Sequence, residues 1–87
     1  MDHTEFIKRS KELVMNYTNT HMDVTDKKVI TEEDVYVVWS CKTLQNGKAL
    51  LSTTVSDGMY YEVTLNGDKE EIYFDAYKKF QNIRYTF

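Results

Sequence analysis

The chain reads as an α+β domain, an N-terminal amphipathic helix packed on a four-stranded antiparallel β-meander, and three observations lead there. Apolar residues recur at helical spacing over residues 4–20. From residue 35 onward come four runs rich in β-branched and aromatic residues: VYVVWSCKT (35–43), KALLSTTV (48–55), MYYEVTL (59–65) and EEIYF (70–74). Each gap between them holds a turn signal, Gln45-Asn46-Gly47, Ser56-Asp57-Gly58 and Asn66-Gly67-Asp68, and short loops imply sequential hairpins.

In the helix, Phe6, Ile7, Ser10, Leu13, Val14 and Tyr17 form one stripe, with Lys8, Arg9, Lys11, Glu12 and Asn16 mostly off it. Such a stripe docks on a sheet more often than on a membrane or a partner. Asp2 or Thr4 can cap the start, and Asp2 with Glu5 has capping-box spacing. The Asn19-Thr20-His21 region ends the helix. A polar connection follows over residues 22–34, for which Val24, Val29 and Ile30 are the available anchors, as a short edge strand.

Loop lengths follow from parity, because directly opposed side chains share a face. The apolar sets Val35, Val37, Trp39, Cys41; Ala49, Leu51, Val55; and Met59, Tyr61, Val63, Leu65 are all odd-numbered. Opposed residues must then have an even sum, which needs odd loops. A two-residue Asn46-Gly47 turn would set Trp39 opposite Thr54 and separate the apolar sets. A three-residue loop at residues 45–47 sets Val37 opposite Val55 and Cys41 opposite Leu51. The same loop at residues 56–58 sets Leu51 opposite Val63, and glycine ends both loops. In the fourth strand the apolar residues, Ile72 and Phe74, are even, so the third loop is even: two residues at Asn66-Gly67 or four over residues 66–69, the latter preferred. The ending DAYKKFQNIRYTF fits a short C-terminal helix capped by Asp75, or a strand running through Tyr77. The expected core is Phe6, Leu13, Val14, Tyr17, Val37, Trp39, Leu51, Val55, Tyr61, Val63, Ile72 and Phe74.

Parity also sets out what faces away: Tyr36, Val38, Ser40, Lys42; Lys48, Leu50, Ser52, Thr54; Tyr60, Glu62, Thr64; and Tyr73. Tyrosine and threonine suit a solvated sheet. Tyrosine also carries large contact area at low entropy cost and is enriched in interfaces. Tyr36, Lys42, Lys48, Tyr60, Glu62 and Tyr73 are therefore the candidate binding residues.

The totals bound the function. A chain of 87 residues makes one domain, residues 1–87. With 14 acidic and 11 basic residues it lacks the basic stripe of a duplex reader, which argues against double-stranded nucleic acid as partner. MDHTEFIKRSKEL has no apolar run of a membrane span or signal peptide, and no membrane is expected as partner. Cys41 is the sole cysteine, so no internal disulfide forms, and on the inward face of a strand it reads as a buried thiol. His3 and His21 flank the helix and with one cysteine do not make a metal site. Asp57-Gly58 is a turn rather than a catalytic aspartate, and no glycine-rich phosphate loop exists. The expectation is a non-enzyme with no cofactor and no metal.

The run VYVVWSCKTLQNGKALLSTTVSDGMYYEVTLNGDKEEIYFDAYKKF (35–80) resembles a family of short uncharacterised phage and prophage proteins of low-GC Gram-positive bacteria. TTVSDGMYYEVT and NGDKEEIYFDAYKKF carry most of the likeness, and KELVMNYTNTH extends it. The resemblance implies a small accessory protein in the host bacterial cytoplasm that binds and inhibits a host or anti-phage defence protein. Two other expectations stand beside it: sequestration of a nucleotide signal, tyrosines stacking on a base and Lys42 or Lys48 meeting phosphate; and a homo-oligomer assembled through the sheet face.

Overall fold

The computed structural model describes residues 1–21 and 29–86. The helix α1 (His3–His21) is followed by a 3-10 turn (Glu32–Asp34) and four strands, β1 (Val35–Thr43), β2 (Asn46–Thr53), β3 (Met59–Asn66) and β4 (Glu71–Lys78). The strands form one antiparallel sheet in the order β1-β2-β3-β4, with α1 against one face. The expected α+β meander is the observed fold.

The helix starts where its cap dictates. Asp2 Oδ1 accepts the Glu5 backbone N–H at 2.8 Å, meeting a donor the first turn leaves open. That bond holds the Asp2 carboxyl below its ordinary pKa. Ser10 sits inside the apolar stripe because its hydroxyl donates to the Phe6 carbonyl at 2.7 Å. Past the helix, the Asn19 amide grips the Ile30 backbone from both sides. Its Nδ2 donates to the Ile30 carbonyl at 3.0 Å and its Oδ1 accepts the Ile30 N–H at 2.9 Å. Ile30 is thereby buried as an anchor, whereas Val29 is exposed and the expected anchor Val24 lies outside the described residues.

The sheet is registered differently from expectation at its first hairpin. The β1–β2 turn is the two-residue Leu44-Gln45, with Leu44 in the left-handed region at φ 55°. Asn46 and Gly47 belong to β2 instead of a loop. A two-residue turn puts the odd residues of β1 and β2 on opposite faces, and a β-bulge between Val37 and Trp39 corrects half the strand. Before it, Val35 faces Thr53 and Val37 faces Leu51 on the helix side; after it, Trp39 faces Leu50, Ser40 faces Ala49 and Cys41 faces Lys48. Trp39 is accordingly not in the core but 45% exposed on the far face, and Cys41 is exposed instead of buried. Val37 opposes Leu51, not Val55, and Cys41 opposes Lys48, not Leu51.

Gly47 is needed for closeness. The Phe6 ring lies over it, 3.3 Å from where a Cβ would stand. Gly67 likewise backs onto the Gln45 carbonyl, which would collide with such a Cβ. Gly47, expected in a turn, is a strand position of close approach, while Gly67 remains in a turn and is closely approached as well.

The second and third hairpins keep the expected parity with longer or shifted loops. Leu51 opposes Tyr61 rather than Val63, so residues 54–58 form a five-residue loop ending at Gly58, φ 73°. Thr54 N–H reaches the Asp34 carbonyl at 2.9 Å, which ties this longer loop to the 3-10 turn. Asn66 opposes Glu71, leaving a four-residue loop over residues 67–70, one position later than expected. Ile72 and Phe74 still face inward, opposite Leu65 and Val63. β4 continues through Lys78, so the C-terminal helix is not formed: residues 75–78 pair with β3, and residues 79–86 have no regular structure.

The core lies between α1 and the sheet. Phe6, Val14, Ile30, Val35, Ala49, Leu51, Tyr61, Val63 and Leu65 are buried, and Leu13, Tyr17, Val37, Val55, Ile72 and Phe74 pack around them. Tyr17, Tyr61 and Phe74 form a ring cluster with centroids 5.2–5.7 Å apart. Thr18 donates to the Tyr61 hydroxyl at 3.3 Å, so the most deeply buried tyrosine is not left unpaired.

Candidate functional site

α1 covers one face of the sheet, and among the described residues no element packs on the other. Alternation fixes what that open face presents. β1 contributes Tyr36, then Trp39 and Cys41 after the bulge; β2 contributes Lys48 and Leu50; β3 Tyr60, Glu62 and Thr64; β4 Tyr73, Asp75 and Tyr77. Tyr73 and Tyr77 are each 52% exposed, Tyr36 48%.

Five of the six candidate residues therefore share one surface: Tyr36, Lys48, Tyr60, Glu62 and Tyr73. Lys42 does not. The bulge turns it to the helix side, opposite Gly47, where with His3, Phe6 and Gln45 it borders a small cleft at the start of α1. Ser40 turns with it, and its hydroxyl lies 3.1 Å from His3 Nε2. Sequence reasoning missed Trp39, Cys41, Asp75 and Tyr77. The first two were hidden by the bulge. The last two were readable, since Tyr73, Asp75 and Tyr77 alternate, once β4 is allowed to run past Phe74.

The face is aromatic with a charged centre. Lys48 Nζ lies 3.3 Å from Glu62 Oε1 at the middle of the sheet. Asp75 stands directly across from Glu62, so two carboxylates oppose each other with one cation nearby. Tyr60 pairs with Tyr77 across β3 and β4, and Lys79 Nζ hangs 5.9 Å from the Tyr60 ring. The Tyr73 hydroxyl donates to Glu71, which holds its proton and raises its pKa. Toward the Leu44-Gln45 turn the face dips into an open depression of about 300 Å³ lined by Cys41, Thr43, Lys48, Thr64 and Asn66.

No group of three or more His, Cys, Asp or Glu side chains among the described residues could hold a metal ion. Asp57, beside the turn glycine Gly58, uses its Oδ1 to accept the Met59 N–H at 3.0 Å. Of the two lysines, either of which was expected to meet a nucleotide phosphate, Lys42 lies on the helix side and Lys48 is paired with Glu62. No helix among the described residues is long and apolar enough to cross a membrane.

A family model described as "Family of unknown function (DUF6275)" matches residues 7–87. No curated protein and no solved structure matches the chain.

Proposed function

The chain belongs to this family of unknown function, and on its open sheet face we propose that it is a non-catalytic binding module that docks a partner protein. The observation that carries the reading is the set of exposed rings on one face, Tyr36 and Trp39 on β1 and Tyr73 and Tyr77 on β4, with no covering element among the described residues. Rings of this kind supply area at low entropy cost, and the Lys48–Glu62 pair with Asp75 supplies a polar centre that fixes orientation. The likeness to phage and prophage proteins supports the finer reading: the partner is a host or anti-phage defence protein of a low-GC Gram-positive bacterium, and binding inhibits it. The bacterial cytoplasm is the corresponding setting.

The test is affinity capture from a nuclease-treated lysate of such a host, read by mass spectrometry, with a Tyr60→Ala/Tyr73→Ala variant alongside. A protein retained by the wild type and lost from a variant with unchanged circular dichroism supports the reading. Capture that is identical for both removes Tyr60 and Tyr73 as anchors of the binding surface. Nucleotide sequestration is the weaker reading, since the one lysine left on the open face, Lys48, is paired with Glu62. A nucleotide at a hundred times its dissociation constant would stabilise the fold by about 2.7 kcal/mol, so thermal melts with cyclic nucleotides check it directly.

A further inference from the structure

The two edges of the sheet differ. β1 is interrupted by its bulge, a device that spoils an edge for further pairing. β4 has none: its register with β3 runs without a shift from Met59 opposite Lys78 to Asn66 opposite Glu71. The chain contains no proline to block the edge, and the one lysine of β4 sits at its last position. Phe74, midway along, is only half-buried. Among the described residues no strand pairs with the outer side of β4, which thus presents a long, regular edge with a partly covered ring.

We propose that β4 pairs antiparallel with β4 of a second copy of this chain, joining two sheets into one across a twofold axis at Phe74. Of the registers centred on Tyr73, Phe74 and Asp75, the side chains favour the one centred on Phe74. Opposed residues share a face, so keeping both helices on one side allows only pairings in which the two residue numbers sum to an even value. Centring on Asp75 would set two aspartates against each other, and centring on Tyr73 would set Glu71 against Asp75. Centring on Phe74 sets Phe74 on Phe74, Ile72 on Ala76, Tyr73 on Asp75 and Glu71 on Tyr77, with no like charges opposed. Just beyond, Lys78 of one copy comes level with Glu70 of the other, opposite charges at both ends. A flipped second copy would place Phe74 against a residue of the open face, Tyr73, Asp75 or Tyr77 according to register, and the two helices on opposite sides of the joined sheet. The joined sheet also runs the two open faces together, with Tyr73 and Tyr77 of both copies at its middle.

The inference does not rest on the partner-docking reading, because its test reads mass and cross-linking and not capture. Sedimentation equilibrium of the full chain is expected to give a dimer. Tyr73→Asp places an aspartate on Asp75 of the second copy twice per dimer and is expected to give a folded monomer. Tyr73→Asp with Asp75→Arg restores opposite charges and is expected to dimerise again. A second readout does not depend on those variants folding. On a Cys41→Ser background, Tyr73→Cys/Asp75→Cys is expected to form a disulfide-linked dimer under mild oxidation, and Tyr73→Cys/Tyr77→Cys, which suits the Asp75-centred register, is not. A wild type that stays monomeric at every concentration overturns the proposal and leaves the edge to a strand of another protein. A dimer that Tyr73→Asp leaves intact, or that cross-links through the control pair, overturns it as well.

Discussion

The same four strands build two unlike faces. On the helix side Tyr61 is 1% exposed, touches Tyr17 and Phe74, and accepts a hydrogen bond from the Thr18 hydroxyl at its own. On the open side Trp39, larger still, is 45% exposed. The rings are chemically alike, and what separates them is which way alternation turns each one. Stability should therefore live on one face and recognition on the other, and substitutions can test that division.

The largest effect belongs to Tyr61→Ala. Emptying that site should cost about 3–5 kcal/mol in urea unfolding, while Trp39→Ala costs below about 1 kcal/mol. Equal losses would break the comparison. Gly47→Ala pushes a methyl toward the buried Phe6 ring, and the crowding should outweigh the gain in chain stiffness for a net loss of about 1 kcal/mol.

Tyr61→Phe removes the bond from Thr18 at a cost of about 1 kcal/mol near neutral pH. Burial raises the Tyr61 pKa in the folded state. A folded pKa above the unfolded one contributes stability that is complete below about pH 10 and lost as pH rises through the folded value. The wild type should therefore lose part of its margin over Tyr61→Phe in strongly alkaline melts. A margin that grows with pH would contradict this burial. The smallest energetic effect is Cys41→Ser, within about 0.5 kcal/mol, yet Cys41 in the folded wild type should react with a thiol reagent without denaturant. A cysteine placed at Ala49 should stay protected until the chain unfolds.

Much of this division was legible in the amino-acid sequence, unevenly. The helix stripe was clear because Phe6, Val14 and Tyr17 recur among charged neighbours. The inward set of β3 and β4 was clear because Tyr61, Val63, Leu65, Ile72 and Phe74 alternate with polar residues. The open face of β1 was misread because Val35 through Trp39 is continuously apolar. Alternation says which way a residue points only where apolar and polar residues take turns, so an inserted residue there leaves no trace. That loss moved Trp39 and Cys41 onto the candidate site and Lys42 off it. The turn was misread for another reason: Asn46-Gly47 is the stronger turn signal, but Phe6 needs Gly47 beneath its ring, and Leu44 takes the left-handed position instead.

The bulge also bears on insertions and deletions. Val38 has no residue opposite it, so removing it leaves Val37 followed directly by Trp39, and every neighbour keeps its side. Removing Cys41 would also close the ladder, but only by turning Trp39 toward the helix and Ser40 away from it. β1 can therefore lose one residue silently at Val38, and a Val38 deletion should fold with Cys41 as open to thiol reagents as before.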